Sequence, residues 1–148
     1  NNTMEPAYVT DEVIDGMLSG QKDLALVYSG DATVILDENE DMSFYLPTEG
    51  TNLWSDSMVI PKNSETPKLA HEFINYVLTY DASLDNTETV GYASSNKEVL
   101  DDMSSSGGYY ENNEAYLPRT GYDKDEVFTD NVILKQKLSE LWLKVKAN

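Results

Sequence analysis

Three short apolar runs carry the strand-forming sequence of this chain: "DLALVYSG" (23–30), "MSFYLP" (42–47) and "LWSDSMVIP" (53–61). Each holds β-branched or aromatic residues and is closed by a turn former, Ser29-Gly30, Pro47 or Pro61. Three strands of that length are few for a parallel sheet that must be covered on both faces. At 148 residues the chain could build one ordinary core or form part of a larger molecule, and the strand shortage favours the second.

Helical sequence alternates with these runs. "TDEVIDGMLSG" offers Thr10 as an N-cap, acids in the first turn, and Val13, Ile14, Met17 and Leu18 at helical spacing before Gly20. "SETPKLAHEFINYVLTY" is the clearest helix, with Thr66 as N-cap, Pro67 at the first position, and Leu69, Phe73, Ile74 and Val77 on one face. Further helices are expected from Asp81, after an Asn96 cap, and from about Thr129, where Val132, Ile133, Leu138, Leu141, Trp142 and Val145 recur. "DATVILDENED" reads equally as helix or loop. "SSSGG" (104–108) reads as a flexible connection into a polar, Tyr-containing stretch through Tyr122. Strands alternating with helices place the chain in the α/β class.

Twenty-seven acids face ten Lys plus Arg, a formal net charge of -17. Such a surface repels nucleic-acid phosphate and anionic lipid and draws cations, although acidity alone also serves solubility. With no cysteine, disulfides, zinc-thiolate sites and thiol nucleophiles are excluded. No run has the length of a transmembrane helix, and "NNTMEPAYVT" lacks the basic start and apolar run of a signal peptide. An opening Asn rather than Met fits a mature or trimmed product.

Catalytic signatures are missing from the sequence. His71, the only histidine, sits inside the best helix with no G-x-S-x-G elbow, so a surface or boundary position is expected for it. Neither phosphate-binding glycine motif occurs. Asp37, Asn39 and Asp41 match the first, third and fifth positions of an EF-hand loop. Met42 then stands where Gly is needed and Thr48 where a bidentate Glu should close the cage, so a solvated acidic turn is expected and no metal site.

Aromatic residues and an acid stand at element ends instead. Tyr28 precedes Ser29-Gly30, Trp54 and Asp56 alternate in one run, and Tyr92 follows Gly91. A spacing of two keeps the Trp54 indole and the Asp56 carboxylate on one face of a strand. Each ring taken singly fits a core role. Together, rings and a carboxylate make a site for an organic ammonium ion, by cation–π contact and a charge-assisted hydrogen bond.

"LVYSGDA", "PTEGTNLWSDSMVIPKNSETPKLAHEFINYVL" and "ETVGYASSN" resemble, in that order, the C-terminal half of the spermidine/putrescine-binding proteins of bacterial ABC importers. The resemblance covers residues 12 to 103 well and the final helix more loosely. It implies a periplasmic-binding-protein-like fold, two α/β lobes closing on a polyamine, of which this chain is a C-terminal portion, incomplete or domain-swapped. It implies that residues 1–55 and 101–148 belong to one lobe and 56–100 to the other. It also implies that Tyr28, Trp54, Asp56 and Tyr92 meet the ligand, the indole and carboxylate facing the cleft while Met58 and Ile60 continue into the second lobe. Phe128 or Thr129 could occupy a further contact position near the last helix.

The expected function is therefore polyamine binding as the solute receptor of an ABC importer, with no chemistry and no cofactor. The partners are a polyamine and the importer permease, with no nucleic acid, and exposed apolar surface is expected to drive self-association. The expected location is periplasmic or extracellular, with membrane association through a lipid anchor or the permease. The alternatives are a receptor for another small cationic or polar solute and an acidic calcium-dependent interaction domain.

Overall fold

The computed structural model describes residues 6–10 and 12–147. The first-turn acid expected at Asp11 lies outside the described residues. Among the described residues, six helices and two very short strands follow in the order α1 (Glu12–Leu18), α2 (Ser29–Glu38), β1 (Asn52–Leu53), α3 (Pro67–Val77), α4 (Tyr80–Val90), α5 (Lys97–Ser104), β2 (Glu126–Val127) and α6 (Val132–Lys146). The strands pair in parallel, Asn52 with Glu126 and Leu53 with Val127.

The helices begin and end close to where the residue chemistry places them. The Thr10 carbonyl accepts the Val13 N–H at 3.2 Å, and Gly20 ends the first helical segment at φ 72°. Pro67 opens α3, where its missing N–H costs nothing, although the Thr66 side chain makes no capping bond. The Asn96 Oδ1 accepts the Glu98 and Val99 N–H groups at 3.0 and 3.4 Å, and the Asn131 Oδ1 caps α6 through the Leu134 N–H at 3.0 Å. α6 thus starts three residues after Thr129. The segment that read equally as helix or loop is helical through Glu38. It then turns, the Asn39 Oδ1 accepting the Asp41 N–H at 2.9 Å.

The three strand-like runs behave differently. Among the described residues only Leu53 of the third run, with Asn52 just before it, enters a ladder. Residues 23–28 of the first run and the whole of the second form no strand, and Ser29 and Gly30 already open α2. Burial in the first run alternates as in a pleat: Ala25 and Val27 are half-buried while Leu24, Leu26 and Tyr28 face solvent. The sequence has the right period for a strand, but its backbone groups have no partner to make a sheet. The strand content expected of an α/β chain is accordingly reduced, among the described residues, to one two-residue pair.

The core gathers around α4 and α5. Val99, Met103, Tyr110 and Tyr116 are buried together, with Tyr80, Leu84 and Leu100 packed against them. Tyr110 and Tyr116 come from the stretch after Gly108 that was expected to be polar, and their rings pack with centroids 4.5 Å apart. Burial and the nearby charge of Asp37 push the Tyr110 phenol up to about 12. The same stretch ties back to α2: the Tyr109 hydroxyl donates to Asp37 Oδ2 at 2.9 Å and the Asn113 amide donates to the Thr33 carbonyl at 2.9 Å. α1 packs on α2, and α2 and α3 pack on α4.

Candidate functional site

Gly91 builds the site from below. It terminates α4 in the left-handed region, φ 69°, its N–H bonding the Thr87 carbonyl at 2.9 Å. A Cβ there would stand 2.6 Å from the Gly30 carbonyl, so the end of α4 lies directly on the start of α2. Gly30 answers in kind: a Cβ on it would stand 2.5 Å from Cε2 of Tyr92. The Tyr92 ring therefore lies flat against bare backbone. Its carbonyl is held from inside by the buried Thr87 hydroxyl, which also meets the Tyr116 hydroxyl at 3.2 Å.

Tyr28 and Trp54 complete the surface. Tyr28 is the extended residue immediately before α2, and Trp54 immediately follows β1. Trp54 stands between the two tyrosines, its centroid 5.7 Å from Tyr28 at 71° and 5.5 Å from Tyr92 at 74°. Both are edge-to-face arrangements of the favourable kind, worth about 0.5–1.5 kcal/mol per pair beyond the area buried. Tyr28 is 64% exposed and Trp54 39%, while Tyr92 is half-buried. The cluster is thus anchored on one side and open to solvent on the other.

All three aromatic residues singled out in the sequence are brought together, from segments up to 64 positions apart. Asp56 is exposed two residues beyond Trp54. Burial pushes the Tyr92 phenol up, and the charges of Asp31, Tyr28 and Asp56 push it further. Asp31, half-buried in the first turn of α2, is a residue that sequence reasoning passed over. Its signal was its place: it follows the glycine on which Tyr92 rests, three positions after Tyr28. Phe128 and Thr129 are both exposed, and no contact puts either in the ring cluster. His71 is exposed on α3, as expected.

The three rings form one partly exposed cluster, and Asp31 and Asp56 are close enough for their charges to act on the Tyr92 phenol; rings and carboxylates are the group types that an organic cation requires. Among the described residues no group of three or more His, Cys, Asp or Glu gathers as a metal site would need. Asp37, from the loop that half-matches an EF-hand, is occupied by Tyr109 at the end of α2. No helix among the described residues is long and apolar enough to cross a membrane.

Comparison with known sequences decides the family, because the bacterial extracellular solute-binding proteins match residues 5–116. The chain belongs to that family. These are solute receptors, and membership carries a periplasmic-binding-protein-like fold and an extracellular or periplasmic setting. The chain is similar to the spermidine/putrescine-binding periplasmic protein of Salmonella typhimurium, 30% identical over 90 residues, 61% of this chain and 26% of that protein. It is 29% identical over 90 residues to the protein of that name in Escherichia coli, and 27% over 93 residues to spermidine/putrescine-binding periplasmic protein 1 of Haemophilus influenzae. The chain thus matches about a quarter of the length of these curated relatives. No solved structure matches it.

Proposed function

We propose that this solute-binding protein takes a polyamine, spermidine or putrescine, and that the chain is a C-terminal portion of the receptor of an ABC importer. The observation that carries the reading is the Tyr28–Trp54–Tyr92 cluster, with Asp56 beside it. In this reading a primary ammonium sits against the rings and donates to Asp56, and the methylene chain runs along the aromatic faces. Cation–π contact at a partly desolvated site contributes about 1–2 kcal/mol, and unlike diffuse attraction to the acidic surface it is local and little screened by salt. The protein binds and delivers without breaking bonds, handing solute to a membrane permease that it reaches in the periplasm or from a lipid anchor.

In the longer receptor, residues 1–55 and 101–148 would form one lobe and 56–100 would contribute to the other. The boundary near residue 100 falls inside α5, so that helix would connect the lobes.

Trp54 is its own reporter once Trp142, the only other tryptophan, is replaced by Phe. Spermidine added to the Trp142→Phe chain is expected to change Trp54 emission saturably, whereas magnesium at matched ionic strength leaves it unchanged. Equal responses to both cations would count against a polyamine site.

A further inference from the structure

Trp54 follows a strand of only two residues, far too short to hold an indole in place by its own ladder. What fixes that strand is a strap from residues 119–126, which lie beyond the 5–116 span matched by the family. The Thr51 N–H donates to Asp125 Oδ1 at 2.9 Å, and the Thr51 carbonyl accepts the Glu126 N–H at 3.0 Å. A side-chain carboxylate thus takes the place of a ladder carbonyl at the start of β1. Asp125 in turn is gripped by Arg119, Nε to Oδ2 at 2.8 Å and Nη2 to Oδ1 at 2.5 Å, the two-point fork that fixes direction as well as distance. Its side chain is 1% exposed and that of Arg119 24%.

The grip extends up the chain. Arg119 Nη2 also donates to the Pro47 carbonyl at 3.3 Å, and its guanidinium lies 4.1 Å over the Tyr122 ring. The Thr48 carbonyl receives the Tyr122 hydroxyl at 2.7 Å and the Lys124 ammonium at 2.9 Å. The hydrogen bond from Arg119 holds the Asp125 carboxyl below the usual carboxylate range, so the fork stays ionised at neutral pH. Residues 47–51 are therefore tied at three points immediately before the residue that bridges the two tyrosines.

We infer that Arg119 and Asp125 are positioning residues for solute binding: their ion pair, acting through the Thr51 backbone, sets the place of Trp54 between Tyr28 and Tyr92. This rests on the proposed solute site. It adds that affinity depends on a pair that acts through backbone rather than on the solute.

The test uses the Trp142→Phe chain, with emission read in the absence of solute and spermidine affinity read by calorimetry. Asp125→Ala is expected to move Trp54 emission to longer wavelength and weaken binding tenfold or more, with the helical circular dichroism retained. Arg119→Lys keeps the charge but loses the fork, and is expected to give a smaller change in the same direction. Tyr122→Phe, which removes only the bond to Thr48, is the variant to read if Asp125→Ala does not fold, and is expected to shift emission and weaken binding about threefold. Unchanged emission in the folded variants overturns the inference, and so does shifted emission with undiminished affinity. If the parent chain fails to bind spermidine, the polyamine reading falls while the emission arm still decides whether the pair places Trp54.

Discussion

At the residue scale the site depends on what two glycines leave out. The Tyr92 ring occupies space that any side chain at position 30 would need, with Cε2 only 2.5 Å from an added Cβ. A phenol ring wedged against backbone cannot yield as the end of a flexible side chain would, so Gly30→Ala must displace Tyr92 and open its pair with Trp54. The variant is expected to fold and to lose spermidine affinity by tenfold or more, measured by calorimetry. Unaltered affinity would show that the ring arrangement is not what binds. Gly91→Ala combines a left-handed φ of 69° with a clash against the Gly30 carbonyl. The first effect alone costs about 1–2 kcal/mol, so a lowered Tm should accompany its loss of binding.

At the element scale, legibility in the sequence followed whether an element supplies its own bonds. α3 and α5 could be located because Pro67 and Asn96 act locally, within one turn of the helix they start. The strands could not be foreseen in extent, because a strand exists only where another strand pairs with it. The run from Leu24 to Tyr28 keeps the pleated alternation without any ladder. Tyr110 and Tyr116 were missed as core because they lie among glycine, serine and acids, and burial there is decided by α4 and α5 packing over them. The ring cluster was legible as three candidate residues, while Asp31 and the Arg119–Asp125 pair were not, since their roles come from contacts across the chain. Two substitutions on α5 separate its cap from its packing. Asn96→Ala removes the cap and should cost about 0.5–2 kcal/mol, whereas Met103→Ala opens the core and should cost about 2–5 kcal/mol. Denaturant unfolding of both checks the order, and a larger loss at Asn96 would contradict it.

At the scale of the whole molecule much apolar surface is uncovered. α6 exposes Ile133, Leu138, Leu141 and Leu143, and α3 exposes Leu69 and Phe73. Tyr8 meets the α6 end with its ring edge-on to Trp142 at 5.4 Å and Lys146 5.3 Å from each ring. Surfaces of this kind associate, and here a net charge of -17 opposes association at low ionic strength. The average mass from sedimentation is expected to rise with concentration and to rise further with salt. A monomer at all concentrations and ionic strengths would contradict this.

The measurement that bears most directly on the central claim is calorimetric titration of spermidine into the chain and into Asp56→Asn, at low and at moderate salt. Removing one charge of many alters diffuse attraction little, whereas removing the acid two residues beyond Trp54 removes the partner proposed for the ammonium. The account predicts saturable binding to the parent chain that persists at moderate salt and is lost in Asp56→Asn. Weak heat that fades equally in both as salt rises would contradict it.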